Sequence, residues 1–242
     1  MPRKTFLWPL LFILLTSCGP TTSSSEAPLS SFSYEEQLYA NSVTWGLGTT
    51  ITEYVSNDRD YEWYVDQQTT GTYWNVNCGP TSIEMAGRWA NTDFAYTAED
   101  ARANYRSTGG WWYDTDIHGA LTQFGIPHTT STVSYAEDLI NILDAGKIVL
   151  VNPDMSQVTE QVNDTDRVGR YYSDITGHYL IVKGYVISEV DTYFEVYDPW
   201  SAGAVYADET LKGKNRYYDA ASFTNSLLLW YTKVYSISAV TA

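Results

Sequence analysis

The sequence predicts an α+β fold in which a helical N-terminal lobe packs on an antiparallel β-sheet lobe, on three observations. Between Cys78 and Gly146, apolar residues recur at helical spacing between capping signals. From Lys147 onward, short apolar runs alternate with turns. The 242 residues are 44% hydrophobic and 15% aromatic without an internal repeat, enough for one sizeable core shared by two lobes.

The chain opens with Arg3 and Lys4, then a mostly apolar run from Phe6 to Leu15. That run is too short to span a bilayer and fits the apolar region of a secretory signal. Leu15-Thr16-Ser17-Cys18-Gly19 resembles a bacterial lipoprotein signal. The resemblance implies cleavage after residue 17, a lipidated Cys18, and anchoring to the cell envelope on its periplasmic or extracellular face. An ordinary signal peptide cut nearby is the alternative. Residues 18–33 are Ser/Thr-rich and read as a flexible tether, which leaves 34–242 as the folded domain.

Cleavage there removes two cations and no acid, so the net charge moves from −15 to −17. Such an acidic surface argues against nucleic acid and against electrostatic adhesion to anionic lipid. Lipidation of Cys18 would leave Cys78 as the one free thiol, with no intrachain disulfide possible. A lone thiol outside the cytoplasm risks oxidation, so a chemical role outweighs a structural one.

Ser31 to Ser56 is mixed in pattern and reads only as an opening helix or strand. Asn57 to Asp60 is a polar turn, Tyr61 to Val65 a short strand, and Gln67 to Gly71 a loop. Pro80 then suits a first helical turn, with Ile83, Ala86, Trp89 and Ala90 on one buried face. Cys78 at the front of that helix meets the positive end of its dipole, which favours the thiolate. Its alternative is a buried cysteine serving as a small hydrophobe.

Thr97 and Asp100 resemble a capping box opening a helix to about Arg106. Gly109-Gly110-Trp111-Trp112 is a turn bearing exposed or groove-lining aromatics. Asp114 starts a helix with Ile117, Ala120, Leu121 and Phe124 inside, closed by Gly125 and Pro127. Ser134 and Glu137 cap another, with Ala136, Leu139, Ile140 and Leu143 inside. Lys147 to Asn152 is a strand and Met155 to Asp174 a long loop. His178 to Val186 and Tyr193 to Tyr197 are partner strands, Ala220 to Leu228 a helix, and Tyr231 to Ile237 the last strand.

Of three histidines, His118 sits beside core Ile117 inside a helix, and His128 opens a short strand. His178 stands at the start of a central strand, and Asp198 ends the partner strand twenty residues on. Two strands and a short turn return Asp198 to His178, where a carboxylate can orient the imidazole.

Gln67-Gln68-Thr69-Thr70-Gly71-Thr72-Tyr73, Asn77-Cys78-Gly79-Pro80-Thr81-Ser82, Gly177-His178-Tyr179 and Tyr197-Asp198-Pro199 together resemble the papain-like cysteine peptidases. The best match is the bacteriocin-processing group, cysteine peptidase family thirty-nine, in its stand-alone form. The resemblance spans about 61–235. It implies a papain-like fold with Cys78 as nucleophile, His178 as base and acid, Asp198 as orienter and Gln67 as oxyanion-hole donor. Gln68 is the adjacent rival, since side chains of neighbours on an extended segment point to opposite sides. The implied partner is a peptide or protein substrate. Relatives that cleave at a double glycine are commonly fused to an ATP-driven exporter, and no Gly-x-x-x-x-Gly-Lys-Ser/Thr loop stands in these residues, so that specificity is not implied.

Two other readings use the same fold: a lipoprotein module that holds peptide or glycan in its groove, and an acyl transferase using the same thioester. No cofactor is expected. Asp114-x-Asp116-x-His118-Gly119 faintly resembles a calcium loop, but its twelfth position is Gly125, so no metal site is expected either.

Overall fold

In the computed structural model the described residues are 33–173 and 176–240. Cys18, the signal segment and all of the tether but Ser33 lie outside them. Ser33 caps α1 (Tyr34–Asn41), accepting from the Glu36 N–H while the Glu36 carboxylate accepts from the Ser33 N–H. β1 (Ile51–Ser56) follows, so the unassigned opening stretch supplies one helix and one strand.

Tyr61 to Val65 is not a strand. Trp63, Tyr64 and Val65 are all buried, in a segment that is not among the paired strands of the sheet. Side chains fix this stretch instead: Trp63 Nε1 donates to Asp58 at 2.6 Å, and the Tyr64 hydroxyl to the Asp198 carbonyl at 2.9 Å.

The expected helices form as α2 (Cys78–Ala90), α3 (Ala98–Asn104), α4 (Asp114–Gln123) and α5 (Ala136–Asp144). At α5 the cap differs from the expected Ser134–Glu137 pair. Asp138 accepts from the backbone N–H groups of Ser134 and Tyr135, because Tyr135 is the last non-helical residue.

Seven strands make one antiparallel sheet in the order β2 (His128–Thr132), β7 (Lys233–Ile237), β3 (Ile148–Val151), β4 (Leu180–Ser188), β5 (Thr192–Tyr197), β6 (Arg216–Asp219). β1 pairs with the second half of β4, continuing the edge that β3 occupies along the first half. α6 (Ala220–Trp230) precedes β7. The helical lobe therefore lends two strands, β1 and β2, to the sheet.

The sheet is buried on both faces, and alternation along each strand sorts the side chains. Ile148, Leu150, Ile181, Tyr235 and Ile237 face α2 and α4. Val149, Val151, Leu180, Val182 and Val234 face α5 and α6. Each such aliphatic side chain contributes about 1.5–3 kcal/mol by leaving water. α2 has all but one of its residues buried, so its N-terminus is delivered into the interior at the end of β4. No described helix is long and apolar enough to cross a membrane.

Candidate active site

Cys78 is the first residue of α2, and the segment that aims it is built from distant side chains. Asn77 Nδ2 donates to the Thr70 carbonyl at 2.9 Å. Asn77 Oδ1 accepts from Arg102 Nε at 2.9 Å. The same buried guanidinium donates to the carbonyls of Val76 and Gly110, each at 2.9 Å. One arginine on α3 thus ties the entry to the cysteine helix to the loop that carries Trp111 and Trp112.

His178 directly precedes β4, and Asp198 directly follows β5. The antiparallel register pairs Ile181 with Tyr197, which brings the two ends together. His178 Nε2 lies 2.7 Å from Asp198 Oδ1, leaving the other ring nitrogen to the Cys78 thiol, with which the ring is hydrogen-bonded. The structure brings these three residues together, all buried.

Asp198 accepts more than the histidine. The Trp200 N–H donates to Oδ1 at 2.9 Å, and the hydroxyls of Tyr172 and Tyr218 donate to Oδ2 at 2.6 and 2.5 Å. Burial raises its pKa, but His178 and the two hydroxyls outweigh that and hold the carboxyl below its usual value. Burial likewise opposes charge on His178, yet Asp198 and Cys78 push its pKa up to about 10. Burial raises the Cys78 thiol, and the His178 ring with the N–H groups of Tyr179 and Gly79 brings it below its ordinary range. These directions describe a thiolate beside an imidazolium.

Gln67 and Gln68 do not lie on an extended segment. They open a single 3₁₀ turn (Gln67–Thr69) capped by Asp66, in which Gln67 is buried and Gln68 exposed. The Gln67 N–H donates to the Pro199 carbonyl at 2.8 Å, and its Nε2 to the Trp74 carbonyl at 2.8 Å. Its Oε1 is buried without a partner.

A cavity of about 500 Å³ opens beside Cys78, lined by residues that include Trp111, Trp112, Asn152, Tyr179 and Trp230. A larger one, about 720 Å³, lies among Glu62, Glu84, Glu99 and Asp208 and is not lined by Cys78, so the smaller one is the cavity onto which the thiol faces. His118 Nδ1 and His128 Nε2 face each other at 3.4 Å, and neither residue lines the cavity beside Cys78. Among the described residues no cluster of three or more His, Cys, Asp or Glu could hold a metal ion.

Sequence reasoning missed Arg102, Tyr172, Trp200, Tyr218 and Trp230. Trp200 follows the Tyr197-Asp198-Pro199 motif and bonds Asp198 locally through its backbone N–H, whereas the other four act through tertiary contact.

Residues 60–226 match the model of a family described as the Peptidase_C39 like family. No curated protein matches the chain. Among solved structures, a Bacillus anthracis protein described as a C39-like peptidase aligns with a TM-score of 0.51 at 12% identity, covering 78% of this chain and 100% of that one. The peptidase domain of Streptococcus ComA, a bifunctional ABC transporter of a quorum-sensing pathway, aligns with a TM-score of 0.44 at 14% identity, covering 74% and 100%. The first likeness is one of fold.

Proposed function

The chain belongs to the Peptidase_C39 like family, and we propose that it is an exported, lipid-anchored cysteine peptidase that acts through Cys78, His178 and Asp198. The observation that supports this reading most is the buried His178–Asp198 pair, 2.7 Å apart, against a thiol that opens onto a cavity. In this reading the Cys78 thiolate attacks the carbonyl carbon of the scissile amide. The negative charge that develops on its oxygen meets the Cys78 N–H and the side-chain amide of Gln67. One Gln67 N–H is committed to Trp74, which fixes the amide plane and leaves the second N–H for the oxyanion.

His178 as imidazolium gives its proton to the departing amine nitrogen as the C–N bond breaks, which leaves a thioester on Cys78. A water then loses a proton to His178 and attacks the thioester, releasing the acid and the thiolate. Asp198 keeps the ring oriented throughout and stays ionised.

The test is labelling by iodoacetamide at pH 6. Cys78 should alkylate stoichiometrically and faster than free cysteine, and His178→Ala should slow it. Equal rates in the two proteins overturn the reading. The proposed anchor is tested apart from the chemistry: Cys18→Ser should release the protein from membranes with thiol reactivity unchanged, and persistent membrane association refutes a lipid on Cys18.

A further inference from the structure

We infer that the cleft beside Cys78 is built for a peptide bearing a bulky, uncharged aromatic or aliphatic side chain next to the scissile bond, and not for a pair of glycines. This rests on the peptidase reading of the same site and adds its substrate class. Six of the lining residues are aromatic: Trp111, Trp112, Tyr113, Tyr179, Trp230 and Tyr231. Its one carboxylate, Asp114, is already neutralised, with Lys233 Nζ 2.7 Å away and the Tyr235 hydroxyl donating to it. The cleft therefore offers apolar surface and no free charge.

Two glycines let indoles reach the reacting pair. A Cβ on Gly79 would lie 3.0 Å from the Trp112 Cβ, so Trp112 rests on the first turn of the cysteine helix. A Cβ on Gly177 would lie 2.6 Å from Trp230 Nε1, so Trp230 covers the residue before His178. One tryptophan thus stands on the cysteine side and the other on the histidine side. Trp112 is fixed, its ring edge-on to Tyr105 at 5.6 Å. Trp230 is 51% exposed and Trp111 58% exposed, apolar surface left in water at the rim. Exposed apolar side chains gathered around one cleft point to a binding site.

The opening of about 500 Å³ is far larger than a Gly-Gly segment fills, and filling it with a side chain removes both faces from water.

Dipeptidyl chloromethyl ketones test this: the Cys78 thiolate displaces chloride, forming an S–C bond as the C–Cl bond breaks. Labelling of the mature protein by Phe-Ala, Ala-Phe, Gly-Gly and Glu-Ala reagents is followed by intact mass, each rate divided by that of iodoacetamide on the same protein. One of the two Phe reagents should exceed Gly-Gly and Glu-Ala by at least about tenfold, the low end for an apolar group gained in a hydrophobic pocket. Trp230→Ala should remove most of that preference, and Trp230→Phe, which keeps a ring, should retain it.

Gly-Gly labelling as fast as either Phe reagent overturns the inference, as does a Phe preference that survives Trp230→Ala. Reaction with iodoacetamide but with no peptidyl ketone overturns it too. If instead His178→Ala leaves iodoacetamide labelling unchanged, the peptidase reading itself has failed, a result distinct from each of those.

Discussion

Strands β4 and β5 carry two buried charge clusters, one beyond their His178 and Asp198 ends and one midway along. In the second, Lys183 Nζ lies 2.7 Å from Glu195 Oε1 and 3.0 Å from Asp58 Oδ2, and Lys183 and Glu195 are fully buried. The Ser56 and Tyr54 hydroxyls donate to Glu195 Oε2 at 2.8 and 3.3 Å. Both clusters hold ionised groups at similar burial on the same two strands. Only the His178 end has a thiol facing it and a cavity beyond. The middle cluster joins β1 and the loop after it to the sheet. Buried charge alone therefore does not mark a site, whereas buried charge beside a nucleophile with access to solvent does.

Disabling each cluster in turn should separate chemistry from stability, and this gives the largest effects. Cys78→Ala should lower peptidase turnover by roughly 10⁴-fold or more while leaving the urea unfolding midpoint nearly unchanged. Lys183→Met leaves Glu195 and Asp58 without their cation and should cost about 3–5 kcal/mol of stability, with the folded fraction still alkylated at Cys78. Equal stability losses in the two variants would erase the distinction.

Gln67 and Gln68 sharpen the contrast within the reactive end. Gln67→Ala should lower kcat by about 100–1000-fold with Cys78 alkylation largely preserved, the usual cost of one oxyanion donor. Exposed Gln68, changed to alanine, should stay within a few-fold of wild type. The reverse ranking moves the donor to Gln68, and two mild effects assign the hole to backbone alone.

The pH profile comes next in size. The Cys78 thiol is held below its ordinary range and the His178 pKa is raised to about 10. The reactive pair therefore exists from the lowered thiol pKa up to about 10, with turnover falling above that as the imidazolium loses its proton. In His178→Ala the thiol should titrate near its free value, so alkylation at pH 6 should drop by about tenfold or more. A variant profile that superposes on that of the wild type removes the ion pair.

The helices of the first half and the His178–Asp198 end of the sheet are legible because their signals are local, whereas β6 shows none that reads as a strand. His178 and Asp198 each sit in a short motif at a strand end, and antiparallel pairing does the rest. Tyr61 to Val65 reads as a strand, but side-chain bonds, from Trp63 to Asp58 and from Tyr64 to the Asp198 carbonyl, hold it off the sheet. The separation of Gln67 from Gln68 was expected from an extended chain and arises from a 3₁₀ turn, where Asp66 as cap decides the geometry. Arg102 reads in sequence as a helix-surface cation. Its burial against Asn77 and the Val76 and Gly110 carbonyls depends on α3 packing over α2, which no local pattern encodes.

The smallest expected effect removes one tyrosine hydroxyl from each cluster. Tyr218 is fully buried and donates to Asp198 at 2.5 Å, whereas Tyr54 donates to Glu195 over 3.3 Å and Ser56 serves the same oxygen. A hydrogen bond to a charged group is worth about 1.5–3 kcal/mol, so Tyr218→Phe should lose stability in that range and Tyr54→Phe less than ~1 kcal/mol. The Tyr218 effect should also carry a pH signature. Asp198 is depressed in the folded state, so the stability it contributes is present above its unfolded pKa of about 3.8 and lost as pH falls through the folded value. Removing a donor weakens that depression. The stability gap between Tyr218→Phe and wild type should therefore be full near pH 7 and narrow as the pH is lowered through 4 and below. Because Tyr218 acts through Asp198 on the His178 ring, kcat should fall a few-fold with KM unchanged. A stability gap that is flat from pH 7 to pH 3, with kcat untouched, would make Tyr218 a packing residue and leave His178, Trp200 and Tyr172 to hold the carboxylate.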